Sequence, residues 1–141
     1  MPTWITGSYD LELNLIYWGT GNPGPWIGDQ RPRDNLYSNS VLALDGATVE
    51  LRGYHQYHWS GSWDWDEVSA PLLIVFERGD RTVKGLVHPG HNGHLWFLER
   101  LENSMPSSDD DPNRHDSPLP APARPTDVLR IPKNALPSHV A

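Results

Sequence analysis

The stretch Ser62-Trp63-Asp64-Trp65-Asp66 carries the residues best suited to chemistry. Two carboxylates sit two residues apart, each preceded by a tryptophan. In an extended backbone residues i and i+2 share a face and i+1 takes the other. Asp64 and Asp66 are therefore expected on one side, with Trp63 and Trp65 packed on the opposite side. Like charges this close repel unless one is protonated or a cation lies between them. The competing reading is a solvated loop with two tryptophans folded beneath it. Histidines form a second candidate cluster: His88, His91 and His94 are spaced by three, and so are His55 and His58. Three-residue spacing aligns side chains on a helix. This region reads as turn and strand, so a histidine metal site has little support.

The elements that must position these residues are strands. Helical periodicity is almost absent, and short apolar runs recur between Gly, Asn, Asp and Pro clusters. Strands are expected over Trp4 to Ser8, Leu15 to Trp18, Ser40 to Asp45, Thr48 to Tyr57, Pro71 to Phe76, Thr82 to His88 and His94 to Leu98. Gly79-Asp80 is a good hairpin tip. Many short strands at regular spacing indicate a sandwich, barrel or propeller. Between the second and third strands, Gly19-Thr20-Gly21-Asn22-Pro23-Gly24-Pro25-Trp26 can neither extend a strand nor open a helix easily. An amide oxygen held on such a loop, that of Asn22, suits a hard cation. The ordinary alternative is an Asn bonded to its own turn.

Composition bounds the reading. The 141 residues suffice for one modest domain. A net charge of −7 argues against nucleic acid or an anionic membrane surface as the main partner. Cysteine is absent, which removes disulfides and thiolate metal sites. No apolar run reaches the ~18 residues of a membrane span, and the start lacks the features of a signal peptide. All seven tryptophans lie between Trp4 and Trp96, whereas eight of the fourteen prolines lie between Pro106 and Pro137. A folded unit over 1–103 and a disordered Pro- and Asp-rich tail over 104–141 are expected.

Trp4 to Asp10, Asn14 to Trp26, Arg31-Pro32, Asp34 to Tyr37, Ser40 to Asp45, Gln56-Tyr57, Trp63 to Asp66, His88-Pro89, Asn92-Gly93 and Leu98 to Arg100 together resemble the PQQ-dependent alcohol dehydrogenases of the methanol/ethanol family. The resemblance runs almost without gaps from Thr3 to about Arg100. It implies an all-β chain: about two four-stranded antiparallel blades of an eight-bladed β-propeller, at ~40–50 residues per blade. It implies oxidation of a primary alcohol by hydride transfer to metal-bound PQQ, with a cytochrome c-type electron acceptor and a periplasmic setting. By position, Trp4 resembles the tryptophan beneath the PQQ rings, Asn22 a metal ligand, and Asp64 the general base beside the metal. Trp26 resembles a wall of the substrate pocket. Asp66 resembles the extra carboxylate of the lanthanide-dependent branch, which favours a lanthanide ion over Ca²⁺ because a trivalent ion takes more anionic oxygen.

The departures are specific. His91 stands beside the quinone where the family usually has Arg, so a permanent bidentate charge is lost. The blade-docking pattern keeps Ala43, Asp45 and Thr48 but has Val49 for its Gly and Gly53 for its Trp. The family's upstream metal-binding glutamate, cysteine pair and later blades have no counterpart here, and the resemblance stops beyond Glu102, as a shifted or truncated reading frame would produce. Two rival readings follow: a non-catalytic blade remnant, and a small module whose tryptophans stack on sugars.

Overall fold

The computed structural model describes residues 2–100; the expected tail over 104–141 lies outside them. Among the described residues, seven strands form two antiparallel sheets. The first sheet has the order β1 (Ser8–Asp10), β2 (Leu15–Gly19), β3 (Ser40–Asp45) and β4 (Leu51–Gln56). The second, three-stranded among the described residues, contains β5 (Leu72–Arg78), β6 (Arg81–Pro89) and β7 (Leu95–Glu99). A single 3₁₀ turn, Gly28–Gln30, interrupts the β2–β3 connection. Among the described residues no helix is long and apolar enough to cross a membrane.

The chain begins its first strand later than its apolar pattern predicts. Trp4 to Gly7 are not strand, and Ser8–Asp10 pairs with Leu15 to Tyr17 instead. Asp10 closes this hairpin by accepting from the backbone N–H groups of Glu12 and Leu13 at 3.0 and 3.2 Å. The β5–β6 hairpin turns at Gly79-Asp80 as its sequence requires, with Arg78 opposite Arg81. Gly79 takes φ +60°, a conformation natural to glycine.

The core joins the two sheets. Tyr17, Val41 and Ala43 come from the first sheet and Leu86 and Leu98 from the second, with Tyr57 between them and Trp96 packed alongside. Burial pushes the Tyr17 phenol up to about 12. Gly53, where the family pattern has Trp, is buried opposite Ala43. At one edge, the buried Arg100 guanidinium pairs with Asp10 and donates to the carbonyls of Ile74 and Gly85, so a single cation ties β1 to the second sheet.

The β3–β4 turn shows the cost of losing a glycine. Asp45 Oδ1 accepts from the N–H groups of Ala47 and Thr48 at 2.9 and 3.0 Å, and Arg52 donates to Oδ2 at 2.9 Å. The Arg52 hydrogen bond, followed by these two backbone bonds, holds the Asp45 carboxyl well below the usual range. Val49 then takes φ +62°, which a β-branched residue enters at a cost of roughly 1–2 kcal/mol.

Val49 is 63% exposed and loses little packing on truncation. Val49→Gly is therefore expected to raise stability by about 1 kcal/mol, net of the extra freedom glycine has when unfolded. Urea denaturation measures this, and an unchanged or lower midpoint would count against strain at Val49. A depressed carboxyl stabilises the fold fully above its unfolded pKa of about 3.9 and loses that contribution as pH falls through the folded value. Asp45→Asn should thus lower the melting temperature at neutral pH, with the gap to the parent closing as pH drops below about 4. A gap constant from pH 7 to pH 2 would show that the Asp45 charge contributes nothing.

Candidate active site

The loop after β2 is fixed through consecutive backbone donors. Thr20 N–H donates to Ser40 O at 2.8 Å, Gly21 N–H to Pro2 O at 2.9 Å, and Asn22 N–H to Asp66 Oδ1 at 2.7 Å. Gly21 O accepts from Asn39 N–H at 3.0 Å. Gly21 is required by space. A Cβ there would collide with Asp66 Oδ1 and crowd Pro2 Cγ and Trp4 Cζ3 at 3.1 and 3.2 Å. One small residue thus lets Trp4, Asp66 and the Asn22 loop meet.

The acidic stretch lies between the sheets in sequence, and its side chains alternate as the pattern predicts. Trp63 and Trp65 stack on each other with centroids 5.7 Å apart and planes 20° off parallel. Asp64 and Asp66 both turn to Asn22. Asn22 Nδ2 donates to Asp64 Oδ1 at 2.9 Å while its backbone N–H holds Asp66. Asn22 is buried and its Oδ1 has no hydrogen-bond partner. A buried amide oxygen without a donor is uncommon, and beside two carboxylates a cation is the natural partner. Two carboxylates and an amide are hard oxygen donors, so the residues fit a hard cation. They supply part of a shell: among the described residues no three His, Cys, Asp or Glu side chains converge as a complete metal site.

The remaining candidates are less gathered. Trp4 and Asp66 both crowd Gly21, and Trp4 is 56% exposed. Trp26 is exposed on the loop that Arg31 organises. Arg31 is buried, and donates to Pro25 O and Asn35 Oδ1, and to Gly61 O at 2.9 Å, just ahead of the acidic stretch. The His91 side chain is exposed, and its backbone N–H donates to Glu67 Oε1 at 3.1 Å.

Glu67 is the residue that sequence reasoning missed. Its side chain is 1% exposed. His88 Nε2–H donates to Oε2 at 2.7 Å, since an ionised carboxylate only accepts. His58 Nε2 lies 3.5 Å from Oε1 and 3.2 Å from Trp65 O. His88 also stacks on Tyr57, centroids 4.2 Å apart. Burial alone would raise the Glu67 carboxyl, but the hydrogen bonds and charge of His58 and His88 hold it below its ordinary range. Burial, reinforced by the Glu67 charge, pushes the Tyr57 phenol well up. The histidines once grouped by spacing do not converge as triplets. His58 and His88, one from each group, meet at this glutamate. The available signal was a glutamate directly after the paired aspartates, ahead of apolar sequence.

Comparison with known proteins identifies the family. Residues 1–104 match the family of the glucose/ethanol/alcohol dehydrogenase β-propeller domain, which uses PQQ. The chain is 39% identical over 102 residues to the quinoprotein alcohol dehydrogenase PedH of Pseudomonas putida, covering 72% of this chain and 17% of that protein. It is 33% identical over 108 residues to methanol dehydrogenase [cytochrome c] subunit 1 of Methylorubrum extorquens, covering 74% and 17%. Among solved structures, a europium-containing methanol dehydrogenase superposes with a TM-score of 0.68 at 35% identity, over 72% of this chain and 18% of that one. The chain spans less than a fifth of the length of these relatives. With the family model matched across both sheets and the site loop, the chain belongs to the PQQ-dependent quinoprotein alcohol dehydrogenases and carries part of their β-propeller.

Proposed function

We propose that this chain carries the catalytic carboxylate and part of the metal shell of a quinoprotein that oxidises a primary alcohol. The observation that carries the reading is Asn22, set between Asp64 and Asp66 with its amide oxygen buried and unpartnered. Asn22, Asp64 and Asp66 would hold the cation, and the exposed Trp4 would support the quinone. When bound, the cation supplies Lewis acidity and PQQ the acceptor for hydride. Asp64 takes the alcohol proton on its carboxylate, a role supported by its exposure and by the Asn22 amide bracing Oδ1. Trp26 bounds the alcohol. The second carboxylate, Asp66, favours a trivalent lanthanide over Ca²⁺, and the similarity to a europium-containing methanol dehydrogenase supports that choice. In the proposed intact enzyme a cytochrome c-type protein takes the electrons, in the periplasm. The chain alone is proposed to be without turnover, because it supplies only part of the shell and of the propeller.

Titration of the purified chain with La³⁺ or Ca²⁺ in the presence of PQQ, followed by quinone absorbance and dye-linked ethanol oxidation, tests this. La³⁺ should bind more tightly than Ca²⁺, Asp66→Ala should weaken La³⁺ about tenfold or more, and no oxidation should be seen. A Ca²⁺ preference, or La³⁺ binding indifferent to Asp66→Ala, would refute the ligand assignment. Gly21→Ala should act through space alone. The added methyl should displace Asp66 from the Asn22 N–H, lower stability by about 1–3 kcal/mol and weaken La³⁺ comparably to Asp66→Ala. A variant with native La³⁺ affinity would show that the close packing at Gly21 is not what aligns Asp66.

A further inference from the structure

Glu67 is an expensive residue to keep in place. A buried carboxylate costs several kcal/mol of desolvation, and an apolar residue of similar size would serve packing as well or better. Its contacts are also unusual in where they lead. Its backbone forms an antiparallel bridge with Thr20, two residues before Asn22. The approach there is close enough that a Cβ on Gly19 would collide with the Glu67 carbonyl. From that fixed backbone the side chain reaches the N–H of His91 at 3.1 Å and Nε2 of His88 at 2.7 Å. Its N-terminal neighbour is Asp66. One residue therefore joins the Asn22 loop, the paired aspartates and the turn that carries His91.

We propose that Glu67 is a positioning residue that sets the spacing between the Asp64–Asp66 pair and the His91 turn through the reach of its side chain. This rests on the reading of Asn22, Asp64 and Asp66 as the cation-holding group. Because the Glu67 backbone is pinned against Thr20, the distance to His91 and His88 is spanned by the side chain alone. Length matters more than charge for that task. Aspartate keeps the charge and is one methylene too short; glutamine keeps the length and an acceptor oxygen for the His91 N–H. His88 can meet a glutamine amide as the other tautomer, because its Nδ1 is held by no other group.

The two conservative variants separate these roles in the full 141-residue chain. Amide hydrogen exchange at His91 is measured by NMR on metal-free protein. Binding of Tb³⁺ is measured by emission sensitised through Trp63 and Trp65. Near-UV circular dichroism reports the fold. Glu67→Gln is expected to remain folded and to stay within about threefold of the parent in both exchange and Tb³⁺ affinity. Glu67→Asp is expected to speed exchange at His91 at least tenfold and to weaken Tb³⁺ about tenfold. Parent-like values in Glu67→Asp would overturn the proposal. So would Glu67→Gln as impaired as Glu67→Asp, or unfolded. Asp66→Asn tests the underlying metal reading separately. If Tb³⁺ binding is absent from the parent or survives Asp66→Asn, that reading fails, while exchange at His91 still decides the role of Glu67.

Discussion

The arrangement depends on keeping two like charges on one side of a short extended segment. Neighbouring carboxylates repel when both are ionised, the more so the less water lies between them. The Asn22 residue answers this by giving each aspartate a different donor: its side-chain amide goes to Asp64 and its backbone N–H to Asp66. Both are neutral dipoles, and they relieve the repulsion without cancelling the negative charge. The net negative charge then remains available to a cation, and the amide oxygen is left without a hydrogen-bond partner. Everything that fixes Asn22 serves this end. The loop's backbone donors are committed elsewhere, and Gly21 permits an approach that no other residue would.

The site is assembled across the two sheets, which links its geometry to the core. Asn22 follows β2 of the first sheet, and His91 follows β6 of the second. The acidic stretch runs between them. Tyr17, Val41 and Ala43 on one side and Leu86 and Leu98 on the other hold the sheets together, and Tyr57 stacks on His88, which holds Glu67. Because the Glu67 backbone is bridged to Thr20, a shift of one sheet against the other would draw His88 and the His91 turn away from Glu67 while leaving Asp66 beside Asn22. Buried polar bonds fix both sides: Thr20 and Ser40 bond each other beside the Asn22 loop, and Glu67 bonds His88 of the second sheet. Apolar contact fixes that the sheets pack; directional bonds fix where.

What could be read from the sequence follows the range of the physical rule used. Two-residue alternation is local, and it placed Asp64 and Asp66 together and Trp63 against Trp65 without further information. Hairpin chemistry is local too, and Gly79-Asp80 turns where it should. The first strand was misplaced because the apolar residues Trp4 and Ile5 outweigh Tyr9, while the deciding contact is the Asp10 side chain on the following turn. Glu67 was invisible for a different reason. His58 lies nine residues before it and His88 twenty-one after it, and only the packing of the sheets brings them together. Spacing by three suggested histidine clusters that strands cannot form, since three residues along a strand lie on opposite faces.

On the proposed reading, His91 stands where an arginine would place a permanent cation beside the quinone. His91 has an exposed ring, and the structure secures it by its backbone N–H on Glu67. The turn is thus anchored from beneath, by a residue in the acidic stretch, independently of the side chain above it. On that reading His in place of Arg would change the charge offered to the cofactor, while the bond to Glu67 keeps the backbone in place. On the proposed reading, the electrostatics of the site and its geometry are then separately adjustable. Charge enters through exposed Asp64 and His91, and geometry through buried Asn22 and Glu67.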